Sequence, residues 1–167
     1  MEKEDKLSYY KEVNERIYEQ LTFAEAKNGV LTGLFTATIF GIASYIFTDI
    51  PSWLTIVLGI SLSFMFIGLI LCIISFIPDA RTLKNKRNLY FWGDISKFSS
   101  SEEYDEALED NSLDLSNEIA AQNIQVSRIV KRKNMLFNIS INFFITSIIP
   151  LHIIGTIIVI IKQLKNK

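Results

Sequence analysis

Two long uncharged runs, separated by only four residues, constrain this chain more than any other feature. Residues 29–48 and 53–77, 20 and 25 in number, hold no Asp, Glu, Lys or Arg. At about 1.5 Å per residue, helices of these lengths reach roughly 30 and 37 Å, enough to cross a hydrocarbon layer of about 30 Å. Hydrocarbon cannot pair a main-chain N–H or C=O, so each run must satisfy its own hydrogen bonds as an α-helix. The link Asp49-Ile50-Pro51-Ser52 leaves room only for an antiparallel hairpin. A third uncharged window covers 135–161, with the span itself expected at 137–161. The expected class is all-α: an integral membrane protein with three transmembrane helices, a hairpin plus a third span, and cytoplasmic helical segments.

Four segments follow. Residues 1–28 form a cytoplasmic amphipathic helix, 29–77 the hairpin, 78–134 a cytoplasmic helical segment, and 135–167 the third span with a short basic tail. The polar segments are about the size of the smallest independent cores or below it, which disfavours a separate enzyme domain. One cysteine, Cys72, excludes an intramolecular disulfide and a four-cysteine zinc site. The single histidine, His152, lies in a span, and no glycine-rich phosphate loop or nucleophile–base pair stands out. No catalytic residue, metal or cofactor is expected.

Residues 1–28 do not read as a signal peptide, because seven acidic residues precede the apolar stretch. Leu7, Tyr10, Val13, Ile17, Leu21 and Ala24 recur at intervals of three and four, one stripe of a helix. No breaker follows, so a single helix is expected from about residue 7 to 47. Its acidic face would be repelled by anionic headgroups, so the stripe points to a partner helix. At the membrane entrance, Glu25, Lys27 and Asn28 admit two readings. Lys27 simply snorkels, or the three face a ligand or another helix. Gly29, Gly33, Ala37 and Gly41 recur every four residues and let a helix approach closely, from the same chain or a second copy. Thr55, Gly59 and Ser63 form a similar stripe.

After Pro78 come Arg81, Lys84, Lys86 and Arg87. Such a cluster serves topology, since cytoplasmic flanks carry Lys and Arg. It also suits an anion, because Tyr90, Phe91 and Trp92 follow, and aromatic faces stack on a base while cations neutralise a phosphate. The candidate ligand-binding residues are Arg81, Lys84, Arg87, Tyr90 and Trp92, with Arg128 and Arg132 as reserve cations. Gly93-Asp94 marks a turn or helix break. Ser100 and Glu103 have capping-box spacing, opening a short helix that should bury Tyr104 and Leu108. A long helix then starts near residue 113. Leu115, Ile119, Gln122, Val126, Ile129 and Lys133 give it weak coiled-coil character, able to pair with the N-terminal stripe.

Lys and Arg number five in residues 1–28, none in 49–52, nine in 79–134 and three after 161. This places the N-terminus and the central segment in the cytoplasm and the C-terminus outside. In the third span, Asn134, Asn138, Asn142, Thr146 and Pro150 recur every four residues, followed by His152. The stripe serves interhelical hydrogen bonds beside a proline kink, or it lines a path for water.

The order of motifs carries a resemblance. Ala24-Glu25-Ala26-Lys27-Asn28-Gly29 opens a hairpin, a proline closes it, and Phe91-Trp92-Gly93-Asp94-Ile95 and residues 99–104 precede a long helix into a last span. The chain resembles the small transmembrane effectors of Pycsar, bacterial anti-phage systems that signal with cyclic pyrimidine nucleotides. Glu25 and Lys27 match that family's entrance motif. Asn28 stands where the family has a small residue, and Asp94 where members often carry His. The resemblance implies a non-enzymatic, homo-oligomeric effector of the bacterial inner membrane. It implies a ligand, cyclic UMP or cyclic CMP, made by a neighbouring cyclase, and abortive infection as the outcome, with no nucleic acid polymer as partner. A constitutive membrane adaptor or structural protein, or a holin-like toxin without a ligand, fits the bare residue pattern as well.

Overall fold

The structure is a computed structural model and describes residues 3–46, 50–77, 89, 92–109 and 115–165. Five helices occur among them: α1 Lys3–Ile46, α2 Ser52–Phe76, α3 Trp92–Ile95, α4 Ser101–Glu109 and α5 Leu115–Lys165. Three of these, α1, α2 and α5, are long and apolar enough to cross a membrane. The chain is an all-α membrane protein.

The helices contribute to two compact units, one of residues 1–24 and 78–132, the other of residues 25–77 and 133–167. In the first, α1 turns its stripe inward: Leu7, Tyr10, Val13, Ile17 and Leu21 are partly buried, while Glu12, Glu15, Arg16 and Glu19 are exposed. The partner is α5 of the same chain. Ile119 and Val126 are buried, and so are the polar Ser116, Gln122 and Asn123. Asn14 Nδ2 donates to Asn123 Oδ1 at 2.6 Å, Asn123 Nδ2 to the Tyr10 carbonyl at 3.0 Å, and Gln122 Nε2 to the Tyr18 hydroxyl at 2.8 Å. Buried amides tolerate few alternative pairings, so these bonds fix the register of α1 on α5.

The second unit has its core on Leu31, Phe35, Ile39, Met65 and Cys72, with Phe137, Ile141, Phe144, Ile148 and Leu151 packed against it. Phe35 meets Phe144 edge to face, centroids 5.1 Å apart. The buried side of α2 is Leu58, Ser61, Met65, Gly68, Cys72 and Ser75, a rhythm of three and four. Gly68 is the glycine this packing requires, since a Cβ there would lie 2.3 Å from Phe35 Cζ. Thr55, Gly59 and Ser63 are exposed, as are Gly29, Gly33, Ala37 and Gly41, and a Cβ at any of these glycines meets nothing within 4 Å. Among the described residues, neither small-residue stripe is in close contact with another helix of the chain.

Two local expectations change. Gly93-Asp94 does lie in a turn, here the single helical turn α3, closed by the Lys97 N–H on the Asp94 carbonyl and the Phe98 N–H on the Ile95 carbonyl. The Asp94 carboxylate is buried and paired with Lys97 Nζ at 2.5 Å. Leu108 is exposed, because α4 is held at its first half: Tyr104 donates its hydroxyl to the Leu89 carbonyl at 2.9 Å and meets Phe98 edge on. The capping pair does form, in a shifted version. Ser100 Oγ accepts from the Glu103 N–H at 3.2 Å, and the Glu103 carboxylate accepts from the N–H of Ser99, one residue upstream of the cap, at 2.8 Å.

Candidate functional site

A lysine at a core position of a helix must find acceptors or leave the core. Lys133 stays in and is 7% exposed. Its Nζ donates to the main-chain carbonyl of Ser75 at 2.8 Å and pairs with Glu25 Oε1 at 3.1 Å. Ser75 lies in the last turn of α2, whose carbonyls have no helical donor and carry the negative end of the helix dipole. Lys133 therefore caps α2 from α5, and Glu25 of α1 joins it, so one ammonium ties together all three helices of this unit. The ring of Phe76 lies 6.0 Å from the same nitrogen.

The rest of the entrance motif surrounds this tie. Glu25 is half exposed, so much of its charge remains in solvent. Lys27 lies over the Phe137 ring at 4.5 Å, a cation–π contact rather than free snorkelling. Asn28 is fully buried, and its main-chain carbonyl accepts the Thr32 hydroxyl at 2.8 Å. Glu25, Lys27 and Asn28 thus all face other helices of the chain. Lys133 and Ser75 are the members that sequence reasoning did not assign to a site. The signal for Lys133 was a charged residue at a core interval; Ser75 gave none, since its contribution is a main-chain oxygen.

In the first unit, Arg128 and Arg132 are exposed on α5. Beside them α1 and α5 leave a shallow groove of about 260 Å³ lined by Val13, Arg16, Ile17, Gln20, Ser127 and Val130. Arg16, itself bound to Glu12 at 2.6 Å, brings a cation, Gln20 an amide and Ser127 a hydroxyl. The groove surface is nonetheless almost wholly apolar and Arg16 is already paired with Glu12, so it offers little to an anion. Arg81, Lys84, Arg87 and Tyr90 lie outside the described residues, as does the side chain of Trp92.

Among the described residues no cluster of His, Cys, Asp or Glu could hold a metal ion. A surface carboxylate has a shifted acidity. Glu102, at the start of α4, is held below the ordinary carboxylate range by its own main-chain N–H and by the hydroxyls of Ser100 and Ser101.

Comparison with protein families gives a match to the family described as the Pycsar effector protein domain, over residues 9–161 of the 167. Comparisons with curated proteins and with solved structures give no significant match.

Proposed function

Because this chain belongs to the Pycsar effector family, a family of non-enzymatic membrane effectors of anti-phage defence, we propose that a cyclic pyrimidine mononucleotide switches it on. The ligand is cyclic UMP or cyclic CMP from a neighbouring cyclase. The output is impaired integrity of the inner membrane and death of the infected cell. The supporting observation is that one family match takes in both the α1–α5 helix pair and all three spans.

The chain sits in the inner membrane with its N-terminus and residues 78–134 in the cytoplasm, an orientation that the distribution of Lys and Arg supports. A cyclic nucleotide offers one phosphate charge and one flat base. Arg81, Lys84, Arg87, Tyr90 and Trp92 supply the cations and stacking faces, with Arg128 and Arg132 in reserve. A ligand moves the spans only if it binds one arrangement of the helices better than another. Both α1 and α5 are continuous helices with residues in each unit, so a change in their pairing at Asn123 is carried along the same helices that bear Glu25 and Lys133. The active form is a homo-oligomer, and the exposed stripe of Gly33, Ala37 and Gly41 is a contact between copies.

Titration of the purified full chain in detergent with cyclic UMP and cyclic CMP tests the reading. Each of Arg87→Ala and Trp92→Ala should weaken binding roughly ten- to a hundred-fold, the loss of a charge-assisted contact or of a stacking face. Unchanged affinity in both variants would move the site elsewhere. No binding of either nucleotide by the parent would reject the ligand.

A further inference from the structure

Within the membrane unit α5 has two opposite faces. One, Lys133, Leu136, Ser140 and Ser147, is buried. The other carries Asn138, Asn142, Thr146, His152 and Thr156, and all five are exposed. At about 100° per residue, Asn138, His152 and Thr156 fall within about 40° of each other, and Asn142 and Thr146 within about 80° of Asn138. The buried face lies about 160–220° away around the helix. The polar face runs about 27 Å along the axis, most of the hydrocarbon thickness. Within it Pro150 has no N–H, so the Thr146 carbonyl loses its helical donor.

This is the reverse of what a lone helix in lipid requires. Two carboxamides and an imidazole are exposed on the chain's own fold, the Thr146 carbonyl has no N–H at Pro150 to accept from, and acyl chains offer none of them a hydrogen bond. The chain gives the most apolar stretch of this helix the least cover. In its most apolar stretch 6% of residues are buried, against 22% for α1 and 28% for α2. A carboxamide both donates and accepts, so the same face of an identical chain satisfies it without any partner of complementary charge.

Resting on the reading of a homo-oligomeric effector, we propose that this face of α5 lines a water-filled path across the bilayer, closed by the same face of further copies. Ile145, Ile149 and Ile153 are exposed on the same side, between the polar residues. Apolar rings of this kind keep a narrow path dry until the helices part. The lining carries no Asp, Glu, Lys or Arg, so an open path discriminates little between cations and anions.

The test uses the full chain in cells, where the native Cys72 is buried and serves as background. Asn142→Cys should form disulfide-linked dimers in isolated membranes under mild oxidation. It should also react with a membrane-impermeant thiol reagent in depolarised cells. Ile70→Cys, on the exposed side of α2, should do neither. Asn142→Cys behaving like Ile70→Cys overturns the interface, and crosslinking without labelling overturns the aqueous path. Asn138→Leu with Asn142→Leu removes only groups exposed in the chain's own fold, so insertion and abundance should hold while most depolarisation is lost. Parental depolarisation from that double variant also overturns the proposal. Crosslinking in a chain that ignores every cyclase supports the interface and rejects the nucleotide trigger, so the two ideas fail separately.

Discussion

Lys133 concentrates the energetics of the membrane unit in one side chain. Replacing it with Ala strips the donor from the Ser75 carbonyl and the cation from Glu25. A hydrogen bond to a charged group contributes about 1.5–3 kcal/mol, so Lys133→Ala should lower stability by that amount. Glu25→Gln should cost no more than about 1 kcal/mol, because the carboxylate is half exposed and well screened. Thermal unfolding in detergent checks both. Equal losses would mean that the ion pair, not the cap on α2, is what Lys133 supplies. Gly68→Ala sets a different residue-scale test. Phe35 is fully buried and held against Phe144, so it cannot swing clear of a new methyl group. The expected cost is about 1–3 kcal/mol from overpacking. Gly33→Leu should leave the monomer's stability unchanged and weaken association by about 1–2 kcal/mol, read from crosslinking yield.

At the scale of elements, α4 depends on its first turn. Ser100→Ala removes an acceptor from the Glu103 N–H and should cost the helix about 0.5–2 kcal/mol. Glu102 adds a pH dependence of definite sign. Its folded acidity is shifted down, so its contribution is present above the ordinary carboxylate range and is lost as pH falls through the depressed value. Helical content of α4 followed by amide chemical shifts should fall on that acid limb alone. The existence of the long helices was legible because hydrocarbon permits so little else. The cap at Ser100 was legible because two residue types at one spacing define it. Which side of α2 packs was not. In an almost uniformly apolar helix, Leu58, Ser61, Met65, Gly68, Cys72 and Ser75 do not stand out by hydropathy. Gly59 and Gly68 look alike until the position of Phe35 is known. Lys133 showed itself as a charge at a core position, but its acceptor, 58 residues away, is a main-chain atom that any residue could have offered.

The whole molecule joins a family of membrane effectors, three candidate spans and a proposed switch. Its orientation can be checked with a membrane-impermeant thiol reagent on intact cells. Ser52→Cys should be labelled and Ser100→Cys should not, and the reverse pattern would invert the topology. The proposed switch is decided by membrane potential in single cells that express this chain with a cyclase that makes cyclic UMP or cyclic CMP, or with that cyclase inactivated at its catalytic site. Depolarisation with the active cyclase and a normal potential with the inactive one is the predicted result. Equal depolarisation with both would contradict it, leaving a membrane toxin that needs no nucleotide.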